Sequence, residues 1–172
     1  MKPILTFEQF LNEGKKNKIK MFTEADILSH PSYKSSCEKV QEISETMKGK
    51  TFHHHYHILG PLSEMLEDNY KTFAEIGSFN GGSMCLMLNN KKGKNHISID
   101  PFKVSAGQEK TFDENVANHI SDGQTVEKFV GLSDDPKIIK GAMEAIKKAG
   151  GADIFFIDGS HAKKMVEKDF EN

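Results

Sequence analysis

Two spacings of hydrophobic positions alternate along most of the chain. From residue 51 onward, short apolar segments typical of strands alternate with longer segments in which apolar residues recur at helical spacing. The predicted strands cover residues 71–76, 96–100, 126–130 and 152–157, and the predicted helices cover 57–66, 107–120, 134–149 and 162–170. Because this alternation is typical of βαβ units, it predicts an α/β fold with a parallel sheet and helices on both faces. The nearly all-apolar run 153–157 predicts a strand covered on both faces.

The first 50 residues read differently, as helices joined by polar segments. Thr23 and Asp26 stand three positions apart, as in the capping box that begins a helix. Side chains that suit a buried helix face then recur at helical spacing, at Tyr33, Cys37, Val40, Ile43 and Met47. We therefore divide the chain into an N-terminal helical extension, residues 1–50, packed on a main domain, residues 51–172.

Composition and charge exclude several classes of protein. The 172 residues are 37% hydrophobic and 28% charged, with a formal net charge of −2, which is typical of a soluble globular domain. No apolar run approaches the roughly 20 residues of a membrane helix, and the N-terminus has no signal-peptide pattern, so we expect a cytoplasmic protein without a membrane partner. The balanced charge predicts no nucleic-acid partner. Cys37 and Cys85 are expected to be buried thiols, not a disulfide or a zinc site.

The strongest chemical signal is a glycine-rich turn after the first predicted strand. The sequence F-A-E-I-G-S-F-N-G-G-S occupies residues 73–83, and its glycines at 77 and 81 let a ligand approach backbone N–H groups at a helix N-terminus. Asp100 ends the next predicted strand, where a carboxylate can accept hydrogen bonds from both ribose hydroxyls of a nucleoside. The spacing differs from the dinucleotide fingerprint, because Phe79 would crowd a pyrophosphate, and NAD is therefore disfavoured.

Two motifs in this order resemble those of a known family. They are E-I-G-S-F-N-G-G-S at residues 75–83 and F-I-D-G-S-H at residues 156–161. They resemble the class I S-adenosylmethionine-dependent methyltransferases, in particular the branch of small-molecule and sugar O-methyltransferases. The resemblance covers about residues 51–172 and implies a Rossmann-like fold that binds S-adenosylmethionine.

The same resemblance implies a set of cofactor-binding residues, namely Glu75, Gly77, Ser78, Gly81, Asp100 and Ser133. Residues 77, 78 and 81 would line the methionine and ribose end of the cofactor, and Glu75 would support their turn. Asp100 would hold the ribose. Ser133, or Leu132 beside it, would lie near the adenine.

Asp158 and His161 are the candidate catalytic residues, because they follow a predicted buried strand at the edge where α/β sheets bind ligands. In metal-dependent members of the resembled branch, the aspartate ligates Mg²⁺ and the histidine deprotonates the acceptor hydroxyl. Both roles suit the chemistry of a hard carboxylate ligand and of an imidazole that titrates near neutrality. The alternative is that Asp158 caps the next helix and that His161 is a solvated residue in its first turn.

A histidine cluster, H-H-H-Y-H at residues 53–57, precedes the first predicted strand. On a helix, His53 and His57 could chelate a transition metal, but no third spaced ligand is visible. We favour a structural or pocket-lining role, with His54 or His57 touching the acceptor as a second possibility.

By comparison with this family, the chain stops early. A full domain has a fifth parallel strand and an antiparallel pair after the fourth helix, whereas Asn172 falls within that helix, so we expect these C-terminal strands to be lacking. Since an uncovered apolar strand is prone to pair, a homo-oligomer or a partner chain is expected at the sheet edge.

These observations predict an enzyme that transfers a methyl group from S-adenosylmethionine to a hydroxyl of a small molecule or sugar. The alternative is a non-catalytic Rossmann-like scaffold or assembly module derived from a methyltransferase, which the early end of the chain favours. An NAD-dependent oxidoreductase is a third and weaker interpretation, because of Phe79.

Overall fold

The computed structural model describes residues 22–49, 55–159 and 169. Three helices precede the sheet: α1 (Glu24–Ser29), α2 (Tyr33–Thr46) and α3 (Tyr56–Met65), followed by a 3₁₀ turn (Glu67–Asn69). Strands and helices then alternate in the order β1 (Thr72–Ile76), α4 (Gly82–Asn89), β2 (Asn95–Asp100), α5 (Gln108–His119), β3 (Thr125–Val130), α6 (Pro136–Lys148) and β4 (Ile154–Ile157). The helix predicted over 162–170 lies outside the described residues, apart from Asp169, which is helical.

The four described strands form one parallel sheet in the order β3-β2-β1-β4. The chain therefore runs from β1 outward through β2 to β3, and then crosses to the other side of β1. In sheets of this kind, ligands bind outside the carboxyl ends of the strands where the order reverses, which here is between β1 and β4. The fold is α/β and Rossmann-like, which confirms the predicted class.

Helices cover both faces of the sheet, as predicted. Successive residues of β1 point to opposite faces, so Phe73 joins the apolar cluster beneath α2, α3 and α4, while Ala74 joins the cluster beneath α6. All five residues of β1 are buried. A central strand covered on both faces explains why β1 reads as an apolar run.

The helices before the sheet share the main core. Thr23 and Asp26 form the predicted capping box, with the Thr23 N–H donating to the Asp26 carboxylate at 2.8 Å and the Asp26 N–H donating to the Thr23 hydroxyl at 3.2 Å. Val40 and Ile43 of α2 are buried in the same cluster as Phe73. The domain boundary near residue 50 stays a prediction, since residues 50–54 lie outside the described part.

Two burial predictions are wrong. Only Ile154 of β4 is buried and Phe155 is 45% exposed, because β4 is an edge strand that pairs with β1 alone among the described strands. Cys85 is buried as expected, but Cys37 on α2 is only partly buried. A second chain at the β4 edge stays a prediction. No helix in the described ranges is long and apolar enough to cross a membrane.

Candidate functional site

The turn between β1 and α4 depends on two glycines in left-handed conformations. Gly77 has φ +91° and Gly81, the N-cap of α4, has φ +89°. A Cβ on Gly77 would overlap the carbonyl oxygen of Asp158, so this position requires glycine for space as well as for its dihedral angle. The close approach joins the turn after β1 to the end of β4. Gly81 provides no side-chain cap for this start of α4, which lies at the carboxyl edge of the sheet.

Asp100 at the end of β2 holds this turn from the other side. Its Oδ2 accepts a hydrogen bond from the Phe79 N–H at 2.9 Å, and its Oδ1 accepts one from the Phe102 N–H at 2.5 Å. Phe79 and Phe102 have φ +47° and +49°, which is unusual for residues other than glycine, and the carboxylate stabilises both conformations. Each oxygen keeps a further lone pair that a ligand hydroxyl can use. The sequence indicated the ligand role but not this backbone role.

Ser78 is a buried residue of the turn whose side chain contacts the neighbouring strand. Its side chain is only 2% exposed, and its hydroxyl lies 2.6 Å from the hydroxyl of Ser98 on β2. This hydrogen bond joins the turn to the neighbouring strand. The Ser78 hydroxyl therefore faces the protein interior, whereas the sequence pattern did not distinguish its side chain from its main chain as the ligand contact.

Glu75 is a fully buried carboxyl group directly behind the turn. Its Oε2 accepts a hydrogen bond from the Ser83 hydroxyl on α4, while its Oε1 has no hydrogen-bond partner. Burial is the main reason that the pKa of Glu75 is raised to about 7; the hydroxyls of Ser83 and Ser78 lower it, and the negative charges of Asp100 and Asp158 add to the increase. Glu75 is therefore poised between its neutral and charged forms near neutral pH.

Tyr56 is a residue of this site that sequence reasoning missed. Its ring is buried, and its hydroxyl lies so close to the start of α4 that a Cβ on Gly82 would overlap it. The Ser83 backbone N–H donates a hydrogen bond to this hydroxyl. Burial, together with the charge of Glu75, raises the pKa of Tyr56, so the phenol stays neutral. The sequence at residues 53–57 indicates chemistry for its histidines and has no signal that singles out the tyrosine.

The histidine cluster reaches the carboxyl end of β4 through His55. The His55 Nε2 lies 3.3 Å from the Asp158 Oδ2, and the two side chains are 27% and 20% exposed. The His55 ring also packs against Phe156, with ring centroids 5.0 Å apart. Asp158, which follows β4, thus contacts a histidine from the chain segment that precedes β1. The predicted partner His161, like His53 and His54, lies outside the described residues, and His57 lines a separate surface groove with Cys37.

Ser133, which follows β3, donates a hydrogen bond to the buried carboxylate of Asp169. The same carboxylate lies beside Gly159, just beyond β4. Ser133 is therefore near the carboxyl edge, and its place beside an adenine stays a prediction. Asp169 is a further acidic residue of this edge that the sequence pattern did not single out.

A metal site at Asp158 also stays a prediction. In the part of the chain that the structure describes, no three His, Cys, Asp or Glu side chains converge so that they could hold a metal ion. The side chain that Asp158 contacts there is His55. The structure brings Glu75, Gly77, Ser78, Gly81, Asp100 and Asp158 together around one glycine turn with acidic side chains, and their roles in binding a cofactor stay a prediction.

Comparison with known proteins supplies the family. A family model described as a methyltransferase domain matches residues 74–172. An uncharacterized protein of Acanthamoeba polyphaga mimivirus is 41% identical over 133 residues, which are 77% of this chain and 58% of that protein. A crystal structure from Klebsiella pneumoniae, provisionally assigned as an O-methyltransferase, is 15% identical, with 93% of this chain and 64% of that chain covered and a TM-score of 0.42.

The chain thus spans somewhat more than half the length of its viral relative. The family match begins within β1 and continues through the other described strands to residue 172. It includes the glycine turn, Asp100 and Asp158. With more than half of its residues covered by the family model, the chain belongs to the methyltransferase-domain family.

Proposed function

We propose that this protein binds S-adenosylmethionine and transfers its methyl group to a hydroxyl oxygen of a small molecule or sugar. The observation that carries the proposal is the position of the Asp100 carboxylate. Its two oxygens accept hydrogen bonds from the backbone N–H groups of Phe79, in the turn after β1, and Phe102, in the loop after β2. This contact holds a carboxylate beside the glycine turn, and a carboxylate there supports ribose binding because it accepts hydrogen bonds from hydroxyl groups. The family match supports methyl transfer as the reaction.

The residues present fit such a cofactor. Free lone pairs on Asp100 suit the ribose hydroxyls, and the N-terminus of α4, which has no side-chain cap, suits the carboxylate of a methionine moiety. Glu75 and Asp158 provide negative charge near the turn for a ligand with positive groups. When bound, the cofactor supplies an electrophilic methyl group on a positively charged sulfur.

The chain's own residues would orient the two reactants and transfer a proton. The rigid turn orients the ligand at the β1 end, which lowers the entropic cost of aligning the methyl group with the acceptor oxygen. At the end of β4, a histidine within reach of that oxygen would take its proton. His55, held by Asp158, is the described candidate for this base, and His161 is the candidate from the sequence. Mg²⁺ at Asp158 would be an additional means of activating the hydroxyl.

Ligand binding separates this function from its alternatives. Isothermal titration of the folded protein with S-adenosylmethionine, S-adenosylhomocysteine and NADH should give binding of the first two and not of NADH. Failure of both sulfur ligands to bind at millimolar concentration would overturn the proposal and favour a non-catalytic scaffold. Binding of NADH alone would favour an oxidoreductase.

The acceptor is best sought with a product-based assay. Formation of S-adenosylhomocysteine in the presence of pooled sugars, phenols and other hydroxyl compounds reports transfer to any of them. We expect turnover with a hydroxyl compound and none with amines of matched size. Turnover with amines only would contradict O-methylation while leaving the cofactor assignment intact.

A further inference from the structure

Four acidic side chains surround the carboxyl edge of the sheet. Glu75, Asp100 and Asp169 are 0%, 6% and 6% exposed, and Asp158 is largely buried. All 23 basic residues of the chain are lysines. No salt bridge among the described residues joins a lysine to any of these four carboxylates, and the only cationic partner described for them is His55 at Asp158. Among the described residues, the site therefore has an excess of negative charge.

Glu75 is the member of this set for which a missing positive charge matters most. A fully buried carboxylate whose described donors are only serine hydroxyls is costly, because neutral hydroxyls replace only part of its lost hydration. Among the residues that the structure describes, the titratable groups that face Glu75 are Tyr56 from α3, Tyr70 before β1, Cys85 from α4, Asp100 from β2 and Asp158 from β4. Each is neutral or negative, so none offsets the charge of Glu75.

A metal ion does not supply the missing charge in the described part of the chain. No three ligating side chains converge there, and Glu75 is closed off from solvent behind the glycine turn. A positive group of a ligand that binds in front of the turn can act on Glu75 through the intervening protein, because a charge interaction is strong across a few ångströms of low-dielectric interior. An organic cation in front of the turn is therefore a suitable partner for the buried Glu75 carboxylate.

We infer that Glu75 selects for positive charge on the ligand: it holds a proton when the site is empty, and it releases that proton when a cationic group binds in front of the glycine turn. The inference rests on the proposed function, in which that group is the sulfonium of S-adenosylmethionine. S-adenosylhomocysteine has a neutral thioether at the same place and interacts less with the Glu75 carboxylate. Glu75 thus favours the methyl donor over the spent product without touching either.

Binding calorimetry with the two sulfur ligands tests the inference without any knowledge of the acceptor. Near pH 6, where a carboxyl with its pKa at about 7 is mostly protonated, the binding enthalpy of S-adenosylmethionine should vary with the ionisation enthalpy of the buffer, in the sense of proton release. Near pH 8 the release should be much smaller. From pH 6 to pH 8, the affinity for S-adenosylmethionine relative to that for S-adenosylhomocysteine should increase roughly five- to tenfold. The reason is that only about one tenth of the Glu75 carboxyl groups are charged one pH unit below the pKa.

The variant Glu75→Gln keeps the shape of the side chain and removes its charge. We expect it to abolish the proton release, to make the preference between the two ligands independent of pH, and to reduce that preference several-fold. The matched control is Glu144→Gln, on the exposed face of α6, which removes the same charge far from the turn and should behave as wild type.

The outcomes separate this inference from the proposed function. If neither ligand binds the wild-type protein, the proposed function fails. If both bind, and Glu75→Gln shows the same proton release and the same preference as wild type, the inference is overturned, the cofactor assignment stands, and His55 becomes the source of the proton. Should Glu75→Gln not fold, a wild-type enthalpy that does not depend on the buffer near pH 6 overturns the inference by itself.

Discussion

The Nε2 atom of His55 lies 3.3 Å from the Oδ2 atom of Asp158, so a histidine from before the first strand meets an aspartate from after the fourth. The His55 ring is flanked by Tyr56 and Phe156, with ring centroids 4.9 and 5.0 Å away. At this distance, the negative charge of Asp158 favours the protonated form of the imidazole. The pair lies at the carboxyl end of β4, next to the turn where the cofactor is proposed to bind.

The first prediction concerns this pair. His55→Gln should lower the turnover number on the order of 10²-fold, the typical contribution of a positioned proton acceptor, with the affinity for S-adenosylmethionine nearly unchanged. The effect on stability should be below about 1 kcal/mol, because the pair is partly exposed. The measurement is S-adenosylhomocysteine formation on an accepted substrate, together with chemical unfolding.

The matched control for His55 is His57→Gln, two positions along the chain, where the side chain lines a groove with Cys37. It should keep normal turnover. Normal turnover in His55→Gln, together with a large loss in His161→Gln, would assign the base to His161 instead. Normal turnover in both would return Asp158 to a structural role.

The second prediction concerns Asp100. Asp100→Ala should weaken the binding of S-adenosylmethionine by about 1.5–3 kcal/mol, the range for a charged hydrogen-bond acceptor. Because Asp100 also holds the Phe79 and Phe102 N–H groups, the free energy of unfolding should fall by about 1–3 kcal/mol as well. Calorimetry and urea unfolding measure the two effects.

Asp153 provides the control for Asp100, since its Oδ2 also accepts two backbone N–H bonds, from Lys71 at 2.7 Å and Thr72 at 2.8 Å, but at the amino end of β1. Asp153→Ala should lose stability and keep its affinity for the cofactor. An Asp100→Ala protein that binds as tightly as wild type would show that any cofactor lies elsewhere.

The third prediction concerns Gly77. Gly77→Ala should lower the free energy of unfolding by more than about 3 kcal/mol, because the added methyl group overlaps the backbone of Asp158 at a left-handed dihedral angle. Gly107→Ala is the comparison. Gly107 has φ +76° but nothing within 4 Å of an added Cβ. Gly107→Ala should therefore lower the free energy of unfolding by only about 1–2 kcal/mol, from the strain of alanine in a left-handed conformation. Equal losses in the two variants would contradict the close approach of β1 and β4.

The fourth prediction concerns acid stability and His96, whose ring is 1% exposed and whose Nδ1 lies 3.3 Å from the Thr125 carbonyl oxygen. Burial lowers the pKa of His96 to about 4 from its ordinary 6.5. The unfolded chain therefore takes up a proton that the folded protein does not, and stability from His96 is lost as the pH falls from 6.5 towards 4. The loss amounts to about 2–3 kcal/mol.

Glu75 acts in the opposite direction, because its pKa is raised from 4.5 to about 7 and its stabilising effect is lost as the pH rises through that interval. In wild type the two effects offset each other between pH 4.5 and 6.5. In His96→Asn, which keeps a donor for the Thr125 carbonyl, stability should therefore fall as the pH rises through this range. Urea unfolding at several pH values measures the slope. A slope in His96→Asn that matches wild type would contradict the buried neutral imidazole.

Local sequence was sufficient to predict the elements that position the site. The described strands each begin and end within a few residues of the predicted limits, and the capping box at Thr23 and Asp26 forms as expected. The glycine turn was predictable because left-handed backbone at Gly77 and Gly81 is a local property of residue type. Placing Asp100 at the edge of the turn needed only the length of one βαβ unit.

Burial at the sheet edge could not be predicted in this way. The run at β4 is apolar like β1, yet β1 is fully buried between two neighbours while Phe155 of β4 is 45% exposed. Strand order decides this difference, and order depends on contacts between residues far apart in the chain. The sequence of a single apolar segment does not show how many strands lie beside it in the sheet.

The sequence by itself determined the α/β class, the turn and the acidic residue beyond β2, since these follow from local spacing and residue type. Only the tertiary structure decided that His55 meets Asp158, that Tyr56 reaches the start of α4, and that one oxygen of Glu75 is buried without a donor. The physical reason is that hydrogen-bond partners and solvation depend on distance in space. The order β3-β2-β1-β4 sets those distances for residues that sequence spacing leaves unrelated.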